Sequence, residues 1–564
     1  MAIPSTSGID GRGLTFGRFL DQAADRFADR PAVVSSDHSF GAPTTIRRTY
    51  AEMAADVHAL QAGLIDAGVG PGEHVAVMLS SFYEWILYLF ALTRLGVAFV
   101  PLNPRFGSHE LTHVLRHSGS STLVAMGRYL GRDYAALIGE VVGEWTPGGK
   151  ATNLPELRRI FGVRDSPYPD ATMTETLLAR GRQCIAGGDS PAASANDHDT
   201  AILFYTSGTT AFPKGVPLTH RNLLPHTIGC GALLGITEQD RVLTLYPFFG
   251  ISGGANKVLS TFGFGACLVF QDAFRADEAF TLLDGEQCTI VHGVDVQIRE
   301  LVKLARERTT TPLPRRATIA FMAGLDEQLA RDMAPTLGIA NFIHPYGMTE
   351  INPMVLRNAL DDPFEARLRP GGRVAPSVEV IIVEPETGIE SPIDKPGEIQ
   401  VRGETVMRGY HRDFDATDAA FRDGWFRTGD QGVRTADGFI FYLGRLKDML
   451  KIGGFNVAPQ EVEAYLRTHP AVEDVAVTGL PDERLGEVVV AFIKPKAGHA
   501  IDDRAISEFC RGHIANFKMP QRVATVDALP YHTAANGSKL RRDVLRAWAI
   551  EHFSSSAAEA QTRT

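Results

Sequence analysis

The sequence predicts an α/β protein with a large N-terminal domain, residues 1–444, and a small C-terminal α+β domain, residues 445–564. Helix-like and strand-like segments alternate through the first 200 residues. Short strands bounded by Gly or Pro follow from about residue 374 to 443. Beyond residue 444, helices flank two strands in a unit of roughly 110 residues, a usual size for a domain.

The N-terminal elements follow from local patterns. FLDQAADRF (19–27) has apolar residues at helical spacing, and HVAVML (74–79) is typical of a strand. EWILYLFALTRLG (84–96) predicts a helix closed by glycine, and AFVPL (98–102) predicts the next strand. Arg94 lies in the middle of this apolar stretch, which therefore indicates a buried helix and strand and not a membrane span.

The C-terminal elements are equally regular. PQEVEAYLRTH (459–469) and DRAISEFCRGHIA (503–515) predict helices, and VEDVAVTGL (472–480) and VVVAFIKPK (488–496) predict strands. We expect a final helix from Lys539 onward.

Composition limits the function classes. Apolar residues make up 44% of the 564 residues and charged residues 22%, as in ordinary globular proteins, and the formal charge of -10 offers no general attraction to nucleic acid. The five cysteines are widely spaced and odd in number, which favours a reducing compartment. The first residues lack the basic start and apolar run of a signal peptide. We expect a cytoplasmic protein, either free or peripheral at a membrane.

The stretch FYTSGTTAFPKG (204–215) is rich in hydroxyl side chains and glycine and contains one lysine. Such a loop can surround a phosphate with N–H and O–H donors and neutralise part of its charge. It follows the strand-like AILFY (201–205) and precedes a helix-like segment, which argues against a plain linker. It is not a Walker loop, because Pro213 stands where that pattern needs glycine. The candidate phosphate ligands are Thr206, Ser207, Gly208, Thr209, Thr210 and Lys214.

Five further motifs follow this loop in order. They are PYGMTE (345–350), GEIQVRGETVMRGY (397–410), DGWFRTGD (423–430), GRLKDMLKIGGFNVAPQEVE (444–463) and NGSKLRR (536–542). Together with YTSGTTAFPKG they resemble the adenylate-forming superfamily of acyl- and aryl-CoA synthetases, nonribosomal adenylation domains and beetle luciferase. The resemblance, from about residue 15 to 550, implies layered α/β subdomains with a small β-barrel-like part and a mobile C-terminal domain. It also implies an ATP-dependent acyl-CoA synthetase that uses Mg2+ and CoA.

The resemblance implies roles for individual residues at the nucleotide. Tyr346 would lie against adenine, Thr349 would contact the α-phosphate and Glu350 would bind Mg2+, a hard cation that prefers carboxylate oxygens. Asp430 would accept hydrogen bonds from the ribose hydroxyls, and Arg445 would contact the nucleotide. Further nucleotide contacts implied in this way are Ala323, Gly347 and Met348.

The same resemblance assigns the C-terminal lysines. Lys539 would bridge the acyl carboxylate and the α-phosphate, two anions whose repulsion a cation offsets. In NGSK, Ser538 separates this lysine from the glycine that usually precedes it. Lys447 would be the hinge between half-reactions, and Lys451 would be presented to the thiol with Gly453 and Gly454. Weaker candidates for CoA binding are Phe455 and Lys518.

The acyl pocket is the least determined part. Its candidate walls are Phe248, Phe249, Gly250, Val294, Ala323, Gly324, Met348 and Asn352. These residues are mostly apolar and several are small, so we expect a hydrophobic acid such as a medium to long fatty acid or an alicyclic acid. Gly250 stands where the family often has histidine, and Ala211 stands where the phosphate loop usually has glycine.

Alternatives stay open at this point. An adenylation enzyme could load a carrier protein, although YPFFGISGG (246–254) lacks the Asp that amino-acid-activating members use. GISGG (250–254) matches the nucleophile elbow and would make Ser252 a hydrolase nucleophile. A catalytically inactive nucleotide-binding protein is the third alternative. The sequence predicts no nucleic-acid partner and leaves a homodimer open.

Overall fold

A computed structural model describes residues 8–37, 44–146, 150–165, 168, 170–189, 192–206, 213–308, 315, 317–320, 327–452, 455–482, 484–511, 513–534 and 537–561. Contacts divide the chain into two compact units. The first comprises Met1–Glu379 and Val401–Phe426, and the second comprises Val380–Gln400 and Arg427–Thr564. The domain boundary predicted after residue 444 marks the C-terminal domain that would move between the two half-reactions. This boundary stays a prediction.

The first unit contains two seven-stranded sheets. One sheet is parallel except at the edge where Pro31–Asp37 pairs with Thr44–Thr49. Its strands lie in the order Phe342–Ile343, Ala317–Ala320, Ile290–Gly293, Arg241–Thr244, Cys267–Gln271, Pro31–Asp37 and Thr44–Thr49. Its inner strands are continuous runs of buried, mostly apolar residues. Such runs are typical of parallel strands that are covered on both faces.

The second sheet ends in the two strands that flank the predicted phosphate loop. Its strands lie in the order Thr172–Met173, Arg159–Val163, Thr122–Met126, His74–Met78, Ala98–Pro101, Thr200–Thr206 and Lys214–Thr219. The last two strands are antiparallel, whereas the remaining pairs are parallel. The residues between the last two strands belong to the predicted phosphate loop.

Other strands of the first unit are short. Tyr346–Met348, Asn352–Arg357 and Gly371–Val374 pair in an antiparallel arrangement. Small antiparallel pairs join Arg128–Tyr129 to Arg132–Asp133 and Trp145–Thr146 to Lys150–Ala151, and Phe421–Arg422 pairs with the start of Trp425–Arg434.

Helices connect and cover these sheets. They are Phe16–Phe27, Tyr50–Asp66, Tyr83–Arg94, Ser108–Ser118, Tyr134–Val142, Thr174–Ala186, His220–Leu233, Val258–Phe262, Ala276–Gly285, Asp295–Glu307, Glu327–Leu337, Phe364–Leu368 and Phe414–Ala420, with a π-helix at Ile251–Lys257 and a 3-10 helix at Thr349–Ile351. Polar caps begin several of them. At Tyr50–Asp66, the Thr49 hydroxyl accepts from the Glu52 N–H while the Glu52 carboxylate accepts from the Thr49 N–H.

The predicted apolar helix and strand at 85–102 are confirmed as Tyr83–Arg94 and Ala98–Pro101. Arg94 is buried there, paired with Asp21 and donating to Gln61 Oε1 at 2.9 Å. Burial of a charge inside a helix therefore comes with a full set of partners. Among the described residues, no helix is both long and apolar enough to cross a membrane.

The second unit begins with strands of the predicted β-rich region and continues into the C-terminal part. Its first strands are Val378–Val383, Gly397–Gly403, Trp425–Arg434 and Ile440–Arg445, of which the last two are antiparallel. The C-terminal sheet has the order Phe455–Val457, Leu450–Ile452, Gly486–Pro495 and Val472–Asp482, and Arg522–Thr525 pairs with Gly486–Pro495. The helices are Pro459–Leu466, Asp503–Cys510 and Arg542–Gln561, with 3-10 turns at Leu446–Asp448 and Asn516–Lys518.

The predicted final helix from Lys539 is wrong in its start. Lys539 lies in the strand Gly537–Leu540, which forms an antiparallel hairpin with Tyr531–Ala534, and the helix begins at Arg542. The hairpin places the lysine on an extended backbone opposite His532. The predicted α/β class with a small α+β unit is confirmed.

Two glycines allow the helices Tyr50–Asp66 and Thr174–Ala186 to lie in close contact. A Cβ on Gly181 would overlap the carbonyl oxygen of Ala59, and a Cβ on Gly63 would overlap the carbonyl oxygen of Leu177. The two backbones therefore meet without intervening side chains.

We predict that Gly181→Ala lowers the free energy of unfolding of the first unit by about 1–3 kcal/mol, because the added methyl group forces the helices apart. Gly139→Ala is the matched control, since this helical glycine has open space around its Cα. The control should be neutral or stabilising by up to about 1 kcal/mol. Urea unfolding followed by circular dichroism measures both, and equal effects would contradict the prediction.

Candidate functional site

The two strands that flank the phosphate loop are described up to its ends. Thr206 pairs with Lys214 across the antiparallel strands, and both side chains are half-buried. The helix that follows begins at Thr219, whose hydroxyl accepts from the Asn222 N–H at 3.1 Å. The predicted ligands Ser207, Gly208, Thr209 and Thr210, and with them Ala211, lie outside the described residues. The structure thus shows where the loop starts and ends.

Tyr410 joins the lysine of the loop to the predicted metal ligand. The Lys214 ammonium lies 4.9 Å from the centre of the Tyr410 ring, a cation–π contact. The Tyr410 hydroxyl donates to Glu350 Oε1 at 3.2 Å, and Glu350 is 6% exposed. Three segments that are far apart in the sequence therefore meet at one tyrosine.

Backbone hydrogen bonds hold this arrangement. The Met407 N–H donates to the Glu350 carbonyl at 2.8 Å, and the His411 N–H donates to the Gly215 carbonyl at 2.8 Å. The segment on both sides of Tyr410 is thereby bound to the 3-10 helix of Glu350 and to the strand of Lys214. These main-chain hydrogen bonds hold the segments of Lys214 and Glu350 against the segment of Tyr410. Buried backbone N–H and C=O groups nearly always form such bonds.

The His411 ring lies among other aromatic groups beside the loop strands. Its centroid is 5.5 Å from those of His74 and His117, and His117 Nδ1 is 2.8 Å from the Tyr205 hydroxyl. Burial, together with the neighbouring histidines, lowers the pKa of His411 to about 4. The ring is therefore neutral at physiological pH and adds no charge next to Gly215.

The residues after Glu350 adopt an unusual backbone. Asn352 has φ of +70° and Met354 has φ of +66°, a region that non-glycine residues seldom occupy. Asn352 is fully buried, and its Nδ2 donates to the carbonyls of Thr405 at 2.8 Å and Asn222 at 3.3 Å. Strained backbone of this kind is found at functional sites, where surrounding contacts enforce it.

The predicted adenine segment lies just before. Tyr346 is 7% exposed and pairs with Leu356, and Met348 pairs with Asn352. A Cβ on Gly347 would overlap the Asn352 carbonyl oxygen, so this position accepts only glycine without rearrangement. Thr349 opens the 3-10 helix and is half-buried. The PYGMTE segment thus continues from the short strand Tyr346–Met348 into the 3-10 helix that carries the buried Glu350.

The predicted acyl residues lie on two elements. Phe248 is buried with its ring 5.4 Å from Trp85 and 4.7 Å from Phe270, whereas Phe249 is half-buried. Gly250 begins the π-helix Ile251–Lys257. Single π-turns occur often at functional sites.

The structure describes only some of the other candidate acyl residues. Val294 follows the strand Ile290–Gly293 and is buried at 4% exposure. Ala323 and Gly324 lie outside the described residues. Within the π-helix, a Cβ on Gly254 would overlap both the Phe248 carbonyl oxygen and the Trp85 ring. Helix and aromatic side chain are therefore in direct contact.

Ser252 does not have the geometry of a nucleophile elbow. It is 2% exposed and lies inside the π-helix. An elbow places its serine at an exposed strand-to-helix turn. The motif match at GISGG therefore does not carry a hydrolase function.

In the second unit, Asp430 and Arg445 are cross-strand partners. Arg445 Nε lies 2.9 Å from Asp430 Oδ1, and Asp430 is 2% exposed. Arg445 also donates to the Thr428 carbonyl at 3.1 Å, and the Thr428 hydroxyl accepts from the Asp430 N–H at 3.1 Å. The Arg445 guanidinium and the Thr428 hydroxyl therefore hold Asp430 in a defined position.

The C-terminal lysines are placed on separate elements. Lys447 is exposed in the turn Leu446–Asp448, and Lys451 is exposed on Leu450–Ile452, where its N–H donates to Glu487 Oε2 at 2.8 Å. Lys518 pairs with the Glu461 carboxylate.

Of the other C-terminal candidates, Phe455 begins the strand Phe455–Val457. Gly453, Gly454 and the Lys539 side chain lie outside the described part of the structure. The structure thus gives the backbone position of Lys539 and no contact of its ammonium group.

Comparison with known proteins identifies the family. The family model for AMP-binding enzymes matches residues 20–411, and the model for the AMP-binding enzyme C-terminal domain matches residues 461–536. The chain belongs to the AMP-binding enzyme family. The resemblance drawn from the six motifs is confirmed.

Two similar proteins have names that describe the joining of an acid to CoA. This AMP-binding enzyme is 33% identical over 561 residues to YngI of Bacillus subtilis (strain 168), provisionally named an acyl-CoA synthetase, with 97% of this chain and 99% of the relative covered. It is 32% identical over 521 residues to a Mycobacterium tuberculosis CoA ligase named for a 7a-methyl-1,5-dioxo-octahydro-1H-inden-4-yl propanoyl group, covering 92% and 96%.

A solved structure shows the same fold. ATP-bound MatB from Rhodopseudomonas palustris superimposes with a TM-score of 0.78 at 26% identity, covering 96% of this chain and 100% of the other. The protein is an adenylate-forming acid-thiol ligase that uses ATP and CoA.

Sequence reasoning missed Tyr410. It is the last residue of the quoted motif GEIQVRGETVMRGY, but nothing in one sequence shows that its ring and hydroxyl contact Lys214 and Glu350. The sequence around Tyr410 predicts short strands, and no hydrophobic periodicity there indicates which groups the side chain contacts. Its position beside two charged groups is tertiary information.

We predict that Tyr410→Phe lowers kcat/KM for adenylate formation about 10- to 100-fold, because the Glu350 carboxylate loses a hydrogen bond while the ring beside Lys214 remains. Pyrophosphate release measures the change.

Tyr83→Phe is the control for this prediction, since Tyr83 is also buried and donates to a carboxylate, that of Asp56 at 3.1 Å. Its kcat/KM should be unchanged. Equal losses in the two variants would contradict a specific role for Tyr410.

Proposed function

We propose that this enzyme activates a medium-length or alicyclic hydrophobic acid with Mg-ATP and transfers the acyl group to CoA, with the residues described above in the roles their motifs imply. The observation that carries the proposal is the contact of Lys214 and Glu350 with the same tyrosine, Tyr410. A cation for phosphate and a carboxylate for a metal ion are held together at the ends of the loop strands.

The reaction has two steps. A carboxylate oxygen of the acid attacks the α-phosphorus of ATP, a P–O bond forms, and the bond to pyrophosphate breaks. The CoA thiol then loses its proton and attacks the acyl carbonyl, and the bond to AMP breaks. The protein contributes positioning and charge neutralisation, for which Lys214 and the loop donors would hold the departing pyrophosphate.

The residues present fit a magnesium ion. Mg2+ is commonly bound by one or two carboxylates together with substrate phosphates. Glu350 supplies a buried carboxylate that Tyr410 orients through a hydrogen bond. When bound, the ion would neutralise charge on the phosphate oxygens. Thr349, next to Glu350, would contact the α-phosphate.

The nucleotide and thiol ligands are assigned from their motifs. Tyr346 would stack on adenine beside Gly347, Met348 and Ala323. Asp430, oriented by Arg445, would accept from the ribose. Lys447 would be the hinge, and the thiol would meet Lys451, Gly453, Gly454 and Phe455, with Lys518 as a weaker contact. The exposure of Lys447 and Lys451 supports these assignments, because neither is engaged in a core.

The acid class follows from the acyl elements. Phe248, Phe249, Gly250, Val294, Gly324 and Asn352 would line the pocket. The π-helix Ile251–Lys257 directly follows Gly250, and Phe248 before it is buried against Trp85 and Phe270, which supports an apolar wall for a hydrophobic chain or ring. The relative named for a bicyclic propanoyl group supports a ring acid.

We place the enzyme in the cytoplasm, because all five cysteines are free thiols and four of them are buried. Fractionation of cells that express a tagged chain tests this location.

Pyrophosphate release across acids of graded length and ring content, with and without CoA, tests the acid class. We expect the highest kcat/KM for medium-length or alicyclic acids and thioester formation with CoA. Acetate as the best acid would overturn the class. Transfer to a phosphopantetheinyl carrier protein in preference to CoA would favour the carrier-loading alternative.

We predict that Lys539→Ala lowers adenylate formation about 100- to 1000-fold while thioester formation from preformed acyl-adenylate is retained, because only the first step brings two anions together. Lys496→Ala is the matched control, since this exposed lysine of the same unit donates only to a backbone carbonyl among its described contacts. The control should leave both half-reactions unchanged. Equal loss of both halves in Lys539→Ala would contradict the assignment.

A further inference from the structure

The π-helix ends in a buried lysine that the sequence pattern did not single out. Lys257 is 1% exposed, and its ammonium donates to Asn256 Oδ1 at 2.8 Å. Burial lowers the pKa of Lys257 to about 7, an effect that the neighbouring Cys230 thiol partly offsets. Lysine is among the residues least often buried, so its presence at this position calls for a physical reason.

Lys257 lies where three elements of the acyl site converge. It ends the helix that starts at Gly250. Its Nζ is 3.7 Å from Met354 Sδ, and Met354 follows Asn352 by two residues on the same strand. Its charge also acts on His292, which precedes Val294 by two residues, and together with burial it lowers the pKa of that imidazole. The Lys257 ammonium therefore lies beside the strand that carries Asn352 and acts on the strand Ile290–Gly293, which Val294 follows.

Two other buried side chains near Lys257 carry nitrogen atoms without a hydrogen-bond partner among the described residues. Asn256 and His292 are both 0% exposed. Within the part of the chain that the structure describes, no hydrogen-bond partner lies near Asn256 Nδ2 or either ring nitrogen of His292. Buried polar groups are nearly always hydrogen-bonded, so unpaired ones call for a partner such as an ordered water, an ion or a bound ligand. The unpaired amide can only donate, so its partner must be an acceptor.

We propose that Lys257, Asn256 and His292 form a polar end of the acyl pocket that binds an oxygen acceptor, a ketone or a second carboxylate, at the end of the acid remote from the carboxylate that is activated. This inference rests on the proposed function, because it takes the acyl pocket to lie along the π-helix. It adds a polar end to the mostly apolar pocket that the sequence predicts. Lys257 is then a specificity-determining residue, since a site built to hydrogen-bond a substrate oxygen rejects the analogue that lacks it.

The test compares three acids of equal chain length in pyrophosphate release. They are octanoic acid, the oxo-octanoic acid with its ketone on the penultimate carbon, and octanedioic acid. We expect the wild-type enzyme to prefer one or both oxygenated acids over octanoic acid by about tenfold or more in kcat/KM. The acid that is preferred distinguishes a ketone from a carboxylate as the acceptor.

The variant Lys257→Met keeps the length of the side chain and removes its charge. We expect the preference to disappear through loss of kcat/KM for the oxygenated acids, with octanoic acid activated as well as before or better. Activity with octanoic acid also shows that the variant is folded. Lys303→Met, at an exposed lysine of the same unit, should leave all three values unchanged.

Outcomes separate the two proposals. Activation of octanoic acid by the wild-type enzyme without preference for the oxygenated acids would overturn this inference and leave the proposed function intact. An equal loss for all three acids in Lys257→Met would also overturn it, because the lysine would then have a structural role. Absence of pyrophosphate release with every acid tested would overturn the proposed function and this inference together.

Discussion

The candidate site of the first unit depends on the contacts of one aromatic side chain. The Tyr410 ring lies against the Lys214 ammonium, and its hydroxyl donates to the Glu350 carboxylate. The tyrosine contacts the two groups through different parts of its side chain, the ring and the hydroxyl. The backbone bonds of Met407 and His411 on either side fix the tyrosine in turn.

Much of the fold could be predicted from the sequence because its elements have strong local signals. The apolar stretch around Arg94, the strand that enters the phosphate loop and the helices of the C-terminal unit all lie where their periodicity indicates. The start of the last helix was misplaced because the residues around Lys539 carry no strand-like alternation. Their extended form comes from pairing with Tyr531–Ala534, which is a contact at a distance in sequence.

Candidate site residues could be predicted from the sequence only where a motif contains them. Motifs name residues such as Glu350 and Asp430, and the structure adds which groups hold them, Tyr410 in one case and Arg445 in the other. Lys257, in contrast, could not be singled out from the sequence. In the sequence it follows a run of small residues and has no pattern around it, and only its complete burial shows that it is unusual. The sequence could not indicate this residue because burial depends on the tertiary fold.

The fit between Gly254 and the Trp85 ring has an evolutionary consequence. Since any side chain at position 254 would overlap both this ring and the Phe248 carbonyl oxygen, that face of the π-helix cannot change by single substitutions. Under the proposed acyl pocket, new acid selectivity would therefore arise on another face of the helix, such as that of residue 257, three residues further along the chain. Libraries for redirecting the enzyme should vary position 257 and its contacts and leave the glycine and the tryptophan fixed. Divergence among descendants of this chain should follow the same division.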